Sequence, residues 1–207
     1  MKTVVTGAGS FIGAATVREL LRRGHQVEAV VRPHSLSLAH LLEVIPDDGR
    51  TRVNIRELDM KDIRDLAGES GLKADAWIQI AWDGAGSENR RKRKIQQGNI
   101  RLSLQAVQTA AALGCRRFLF TGSQAEYGIY HHLIAEDAQL APVSEYGKAK
   151  AEFGREAQAL CKSLNLEYIH TRIFSVYGPG DHSWSLVNEC LRTFQKGGTM
   201  RLGACTQ

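Results

Sequence analysis

The chain has 207 residues, enough for one sizeable α/β domain with its own core. It is 43% hydrophobic and 24% charged, with 20 glycines and 4 prolines, a balance that excludes a disordered chain and suits glycine-tuned turns between regular elements. The formal charge of +5 has a local source: Arg90, Arg91, Lys92, Arg93 and Lys94 stand in a row, and without them basic and acidic residues balance at 22 each, so no general polyanion-binding surface is expected.

The pattern alternates short apolar strands with helices. Strands are expected over residues 3–6, 26–31, 52–58, 76–81, 117–121 and 167–172, and helices over 11–23, 36–44, 63–67, 95–113 and 145–163. In the helices apolar residues recur three and four apart, as in Val17, Leu20, Leu21 and in Leu102, Ala106, Ala110, Leu113. Alternation of this kind predicts a doubly wound parallel sheet of six or seven strands, covered on both faces. Beyond Arg172 the pattern loosens through Tyr177-Gly178-Pro179-Gly180 to a further helix near 185–195. Residues 1–175 are therefore expected to form one α/β domain and 176–207 the start of a second portion.

The first strand runs into Thr6-Gly7-Ala8-Gly9-Ser10-Phe11-Ile12-Gly13 and then a helix. Glycines let the backbone turn tightly and approach a pyrophosphate, and the helix N-terminus offers free N–H groups and partial positive charge. A dinucleotide is expected here, held by Gly7, Gly9, Ser10, Phe11, Ile12 and Gly13. The second strand ends at Val31-Arg32 with no acid for a ribose 2′-hydroxyl. Arg32 suits the 2′-phosphate of NADP instead, so NADP is favoured over NAD.

Tyr146 and Lys150 lie four apart on the helix over 145–163 and so share a face. A nearby ammonium is expected to lower the tyrosine pKa, and Ser144 is placed to cap the helix. Ser123 follows the strand over 117–121, at the edge where open parallel sheets bind ligands. Such a set can move a proton to or from a hydroxyl while hydride leaves or joins the adjacent carbon.

At this point the sequence resembles the extended short-chain dehydrogenases/reductases, the group of nucleotide-sugar epimerases and dehydratases, over essentially the whole chain. The matching pieces are the Thr6–Gly13 turn, Asp59, Ile80-Ala81, Asn99, Ser123 four residues before Tyr127-Gly128, Tyr146 to Lys150, and Arg172 through Tyr177-Gly178-Pro179. The resemblance implies a Rossmann fold binding NAD or NADP. Tyr146 is then the acid/base, Lys150 binds the nicotinamide ribose and tunes Tyr146, and Ser123 orients the substrate oxygen. Asp59 and Met60 would lie near the adenine, and Ala81 and Asn99 would line the nicotinamide side.

There are departures. Ser10 stands at the place of the family's middle glycine, and Gln79 stands where a histidine is usual, with Trp82 close behind. Gln124 and Ala125 stand where dehydratases carry Asp-Glu, so epimerisation of a nucleotide-sugar fits better than dehydration. An NADPH-dependent carbonyl or sugar reductase is the second reading, and a non-catalytic dinucleotide-sensing module the third. Family members run near 300 residues, so the C-terminal substrate lobe is expected to be short or truncated.

The partner expected is a small-molecule substrate, with room for a homodimer favoured by an apolar patch near 176–202. Nucleic acid, membrane and metal are not expected. Arg90–Lys94 is read as a solvated helix start, His131-His132 as polar surface, and Trp77 and Trp184 as packing residues. Cys115, Cys161, Cys190 and Cys205 show no paired or zinc-binding spacing and are read as free thiols of a cytoplasmic protein, in line with an N-terminus that runs directly into a strand. No apolar run reaches the roughly 20 residues of a membrane span.

Overall fold

The fold is taken from a computed structural model, which describes residues 1–86 and 88–201. Cys205 and the Leu202 end of the expected apolar patch lie outside the described residues. Two units are present, Met1–Phe174 and Ser175–Gln207.

In the first unit the order is β1 (Lys2–Thr6), α1 (Phe11–Arg22), β2 (Gln26–Val31), α2 (Ser37–Val44), β3 (Val53–Glu57), the one-turn α3 (Asp65–Gly68), β4 (Ala76–Gln79), α4 (Arg93–Ala112), β5 (Arg117–Ser123), α5 (Glu145–Ser163) and β6 (Glu167–Ile173). The six strands are all parallel, in the order β3-β2-β1-β4-β5-β6. This is a doubly wound Rossmann-type sheet, and its order reverses at β1, between β2 and β4. That switch point is where such sheets open a crevice beyond their carboxyl ends.

Strand alternation sorts the core into two layers. Val5, Val27, Ala29 and Val31 face Ala14, Val17 and Leu21 of α1 and Leu41 of α2. On the opposite face Val4, Trp77, Phe118 and Phe120 pack with Ala106, Val107 and Ala110 of α4 and Phe153 and Ala157 of α5. Trp77 is fully buried, as expected of a packing residue.

The differences from the expected boundaries have local causes. Strand β4 stops two residues early because the N–H groups of Ile80 and Ala81 donate to the side-chain hydroxyl of Thr6, each at 3.3 Å, where the backbone pairing with β1 ends. Strand β5 runs two residues further because β6 keeps pace with it, pairing Gly122 with Arg172 and Ser123 with Ile173. Helix α3 starts late because Asp59 caps a separate 3-10 turn, Met60–Asp62.

The second unit contains α6 (Leu186–Gln195), capped by Ser185. Leu186, Leu191 and Phe194 are exposed. Trp184 corrects its expected packing role: it is 75% exposed and stacks on His182 at 4.6 Å. Among the described residues no helix is long and apolar enough to cross a membrane.

Gly13 lies in the first turn of α1, and a Cβ there would run into the Gly7 carbonyl oxygen. Gly98, inside α4, has open space around it. Gly13→Ala should therefore lower stability by about 1–3 kcal/mol, whereas Gly98→Ala should raise it by about 0.5–1 kcal/mol through helix propensity alone. Urea denaturation midpoints of the two variants check the contrast.

Candidate active site

The glycine turn is shaped by close backbone approaches. Gly7 has φ +67°, and a Cβ on it would sit 2.8 Å from the Ala81 nitrogen, so the turn after β1 presses against the end of β4. Ser10 caps α1: its hydroxyl accepts from the Gly13 N–H at 3.1 Å and donates to the Gly7 carbonyl at 2.8 Å. The residue that departs from the family pattern thus closes the same turn with a side chain. The N–H groups of Phe11 and Ile12, in the first turn of α1, have no intrahelical acceptor and remain for an anion.

Gln79, one of the departures noted in the sequence, is fully buried. Its Oε1 accepts from the Thr6 hydroxyl and from Trp77 Nε1, each at 3.0 Å, and its amide donates to the Ala81 carbonyl at 3.0 Å. Gln79 therefore ties β1 to the end of β4 at the switch point.

Asn99 and Asp59 act locally. The Asn99 side chain grips Asp83, accepting from its N–H and donating to its carbonyl, both at 2.8 Å. Asp59 accepts the Lys61 N–H at 3.0 Å, and Met60 packs partly buried against the core. Arg32, at the end of β2, reaches across the carboxyl end of β1 to Asp83 at 3.4 Å. Both side chains are exposed, so this pair is weak and free to exchange partners.

Ser123, Tyr146 and Lys150 are all buried at the carboxyl end of β5. Gly147 makes this convergence feasible. A Cβ on it would strike the Ala125 carbonyl oxygen, so only glycine lets α5 lie against the 3-10 turn Gln124–Glu126 that follows Ser123. The Ser144 hydroxyl accepts the Gly147 N–H at 3.1 Å and caps α5 as expected. The Lys150 ammonium donates to the Thr121 carbonyl at 2.7 Å and lies 4.3 Å from the Trp82 ring, 4.5 Å from Phe120 and 5.6 Å from Tyr146.

This environment reverses the expected direction for Tyr146. Burial pushes its phenol above the ordinary tyrosine value, against the Ser123 hydroxyl and the Arg90 charge, which favour phenolate. Burial also pushes Lys150 down to about 7, with the Glu126 carboxylate opposing the shift and Arg90 adding to it.

Two neighbours of the set carry little signal in the sequence. The Arg90 guanidinium lies 4.4 Å over the Tyr146 ring, which corrects the view of the basic run as a solvated helix start for this one residue. Arg90 and Arg91 form the 3-10 turn Asn89–Arg91 before α4, and with Ala125, Gly128, Val143 and Ser144 they line a cavity of about 380 Å³. Glu126 is fully buried and accepts the Ser123 N–H at 2.7 Å. The capping-box spacing from Ser123 to Glu126 was the available clue to its place. The buried thiols of Cys115 and Cys161 are pushed up to about 12 and 11, chiefly by burial, which makes them poor nucleophiles.

Comparison with known proteins follows this geometry. The profile of the NAD dependent epimerase/dehydratase family matches residues 3–205. An uncharacterised UDP-glucose epimerase of Bacillus subtilis is 25% identical over 190 residues, covering 86% of this chain and 58% of the relative. A dTDP-6-deoxy-L-talose 4-dehydrogenase (NAD+) of Aggregatibacter actinomycetemcomitans is 26% identical over 204 residues, 93% of this chain and 67% of the relative. Among solved structures, a dTDP-glucose 4,6-dehydratase variant of Streptomyces venezuelae with NAD bound superposes with TM-score 0.80 at 25% identity, covering 99% of this chain and 65% of that one. The chain thus spans about three fifths to two thirds of the length of these proteins.

Because Lys150 falls from 10.5 to about 7 on folding, the unfolded chain holds more protons than the folded one between those pH values. Stability should therefore rise with pH across that window as the cost of burying the ammonium is relieved. Lys150→Met should stabilise the chain near neutral pH by about 1–4 kcal/mol and flatten this rise. Chemical denaturation at a series of pH values measures both.

Proposed function

The chain belongs to the NAD-dependent epimerase/dehydratase family, and from that premise we propose that it is a nucleotide-sugar epimerase using a nicotinamide dinucleotide. The observation that carries the proposal is the convergence of Ser123, Tyr146 and Lys150 at the sheet edge that also holds the glycine turn. The residues present fit such a cofactor: the turn at Gly7–Gly13 leaves the first N–H groups of α1 free for a pyrophosphate. When bound, the dinucleotide supplies a reversible hydride acceptor.

Tyr146 is given the role of acid and base at one sugar hydroxyl, taking its proton and later returning it. Its raised pKa keeps it protonated, and able to donate, until a substrate oxygen and a nearby cation favour phenolate. Lys150, close to its own titration point at neutral pH, can supply that cation. The Ser123 hydroxyl accepts the Ala125 N–H at 3.2 Å, and its own proton, directed at the Tyr146 oxygen, is given to a substrate oxygen seated beside that phenol.

Dehydration is disfavoured on specific grounds. Gln124 and Ala125 offer no acid or base, and both oxygens of Glu126 are committed to Ser123, His170 and Arg172. The cavity lined by Arg90, Arg91 and Val143 adjoins this set and is the proposed seat of the sugar. The portion after Phe174 is proposed to begin the part that grips the nucleotide of the substrate.

A second reading, one-way oxidation or reduction at a sugar carbon, has support from the dehydrogenase relative and from Arg32, whose exposed guanidinium suits the 2′-phosphate of NADP. Cofactor retention separates the two: an epimerase recycles its dinucleotide and keeps it through purification, whereas a net reductase releases it.

Tyr146→Phe removes the transferable proton alone. Dinucleotide binding should survive while turnover falls about 10²–10⁴-fold; unchanged turnover on a panel of UDP- and dTDP-sugars would remove Tyr146 from the mechanism. Arg32→Ala should weaken NADP by about 1–3 kcal/mol and leave NAD nearly untouched. Calorimetric titration with each dinucleotide tests this, and equal losses would end the assignment of Arg32.

A further inference from the structure

Behind Ser123 lies a buried polar cluster that the proton chemistry does not use. Glu126 closes the turn Gln124–Glu126 and is fully buried. Its Oε1 accepts the Ser123 N–H at 2.7 Å and the His170 Nε2–H at 3.1 Å, and its Oε2 accepts Arg172 Nε at 3.0 Å. His170 Nδ1 meets the Tyr168 hydroxyl at 3.3 Å, and Arg172 Nη1 donates to the Tyr127 hydroxyl at 3.1 Å. The cluster is thus tied to β6 on one side and to the Tyr127 segment on the other.

Room for it is built into the backbone. A Cβ on Gly122 would strike both the His170 ring and the Glu126 carboxylate, and a Cβ on Gly154 of α5 would strike the same ring. Burial alone would raise the Glu126 carboxyl, but His170, the Ser123 N–H and Arg172 together hold it below the usual carboxylate range. A buried ion pair is a poor source of net stability, because desolvation offsets most of the attraction. What a carboxylate held by three donors does supply is a fixed direction.

That direction falls on the reacting edge. Lys150 holds the Thr121 carbonyl of β5, and Glu126 holds the Ser123 N–H two residues on, so the last turn of the strand is clamped from both sides. We propose that Glu126, oriented by His170 and Arg172, is a positioning residue that fixes the Ser123 backbone and so aims its hydroxyl at the oxygen that Tyr146 serves. The inference rests on the role given to Ser123 under the proposed function.

The test is a double-mutant cycle in the full chain, read as the rate at which UDP-glucose reduces the bound dinucleotide. Glu126→Gln should slow this step by about 10²-fold, the scale of a misplaced reacting group. Substrate KM and dinucleotide Kd should stay essentially unchanged. In a Ser123→Ala background the same substitution should cost only the small effect of removing the Glu126 charge near Lys150, because the group it aims is gone. A loss of the full size that persists in that background, or one that appears as weakened dinucleotide binding, would show a role other than aiming Ser123 and overturn the inference. Ser123→Ala with undiminished rate would overturn the proposed role of Ser123 and this inference with it. Should E126Q fail to fold, the cycle with Arg172→Gln decides in the same way. If the unsubstituted chain shows no reduction with UDP-glucose or any other member of the UDP- and dTDP-sugar panel, the proposed function fails, and the Ser123 amide proton in NMR decides the clamp alone. A strongly downfield signal that moves upfield in the Arg172→Gln protein supports it, and an ordinary amide shift overturns it.

Discussion

A parallel sheet covered by helices on both faces has almost nowhere to keep polar side chains except at the carboxyl ends of its strands. The two apolar layers leave little room for them along the strands, where buried Glu28 of β2 is held by Lys2, Asn54 and Arg56, and every strand here points the same way. The strand order then reverses at β1, so the loops after β1 and β4 diverge to opposite faces and open a crevice. The glycine turn, Gln79, Ala81, Ser123 and the start of α5 gather at that edge, where the crevice opens.

Packing at this edge is set by absent side chains as much as by present ones. Gly7 lets the first turn touch the end of β4, Gly147 lets α5 touch the turn after Ser123, and Gly122 and Gly154 admit the His170 ring. Each close approach brings buried polar groups within reach of one another, and such groups must then be satisfied from within. Thr6 and Gln79 satisfy the switch point, and Glu126, His170 and Arg172 satisfy the end of β5.

The buried charges pull against stability and towards chemistry. The Thr121 carbonyl and the faces of Trp82 and Phe120 favour the Lys150 ammonium, but burial outweighs them and pulls its pKa down to about 7. The buried tyrosine shifts the opposite way for the same physical reason, since burial disfavours phenolate as it disfavours ammonium. A tyrosine and a lysine four residues apart, whose ordinary titration ranges nearly coincide, are therefore drawn apart, the lysine down to about 7 and the tyrosine upward, as a solvent-facing pair with the same spacing would not be.

The sequence by itself determined the strand–helix alternation, the position of the glycine turn, the cap at Ser144 and the shared face of Tyr146 and Lys150. These are local matters of periodicity and backbone freedom, decided within one turn or one strand. It also exposed the departures at Ser10 and Gln79, though not what those side chains do. Only the tertiary structure decided the rest. Ser10 proved to be a helix cap and Gln79 a tie between two strands that are 73 residues apart at the Thr6 contact. Arg90 came out of an otherwise solvated basic run because the turn before α4 folds back over Tyr146. Glu126 met His170 and Arg172 across 44 and 46 residues. Spacing alone points to a lowered Tyr146 pKa, and the structure raises it, because a pKa depends on burial and burial is summed over every element that packs around the group.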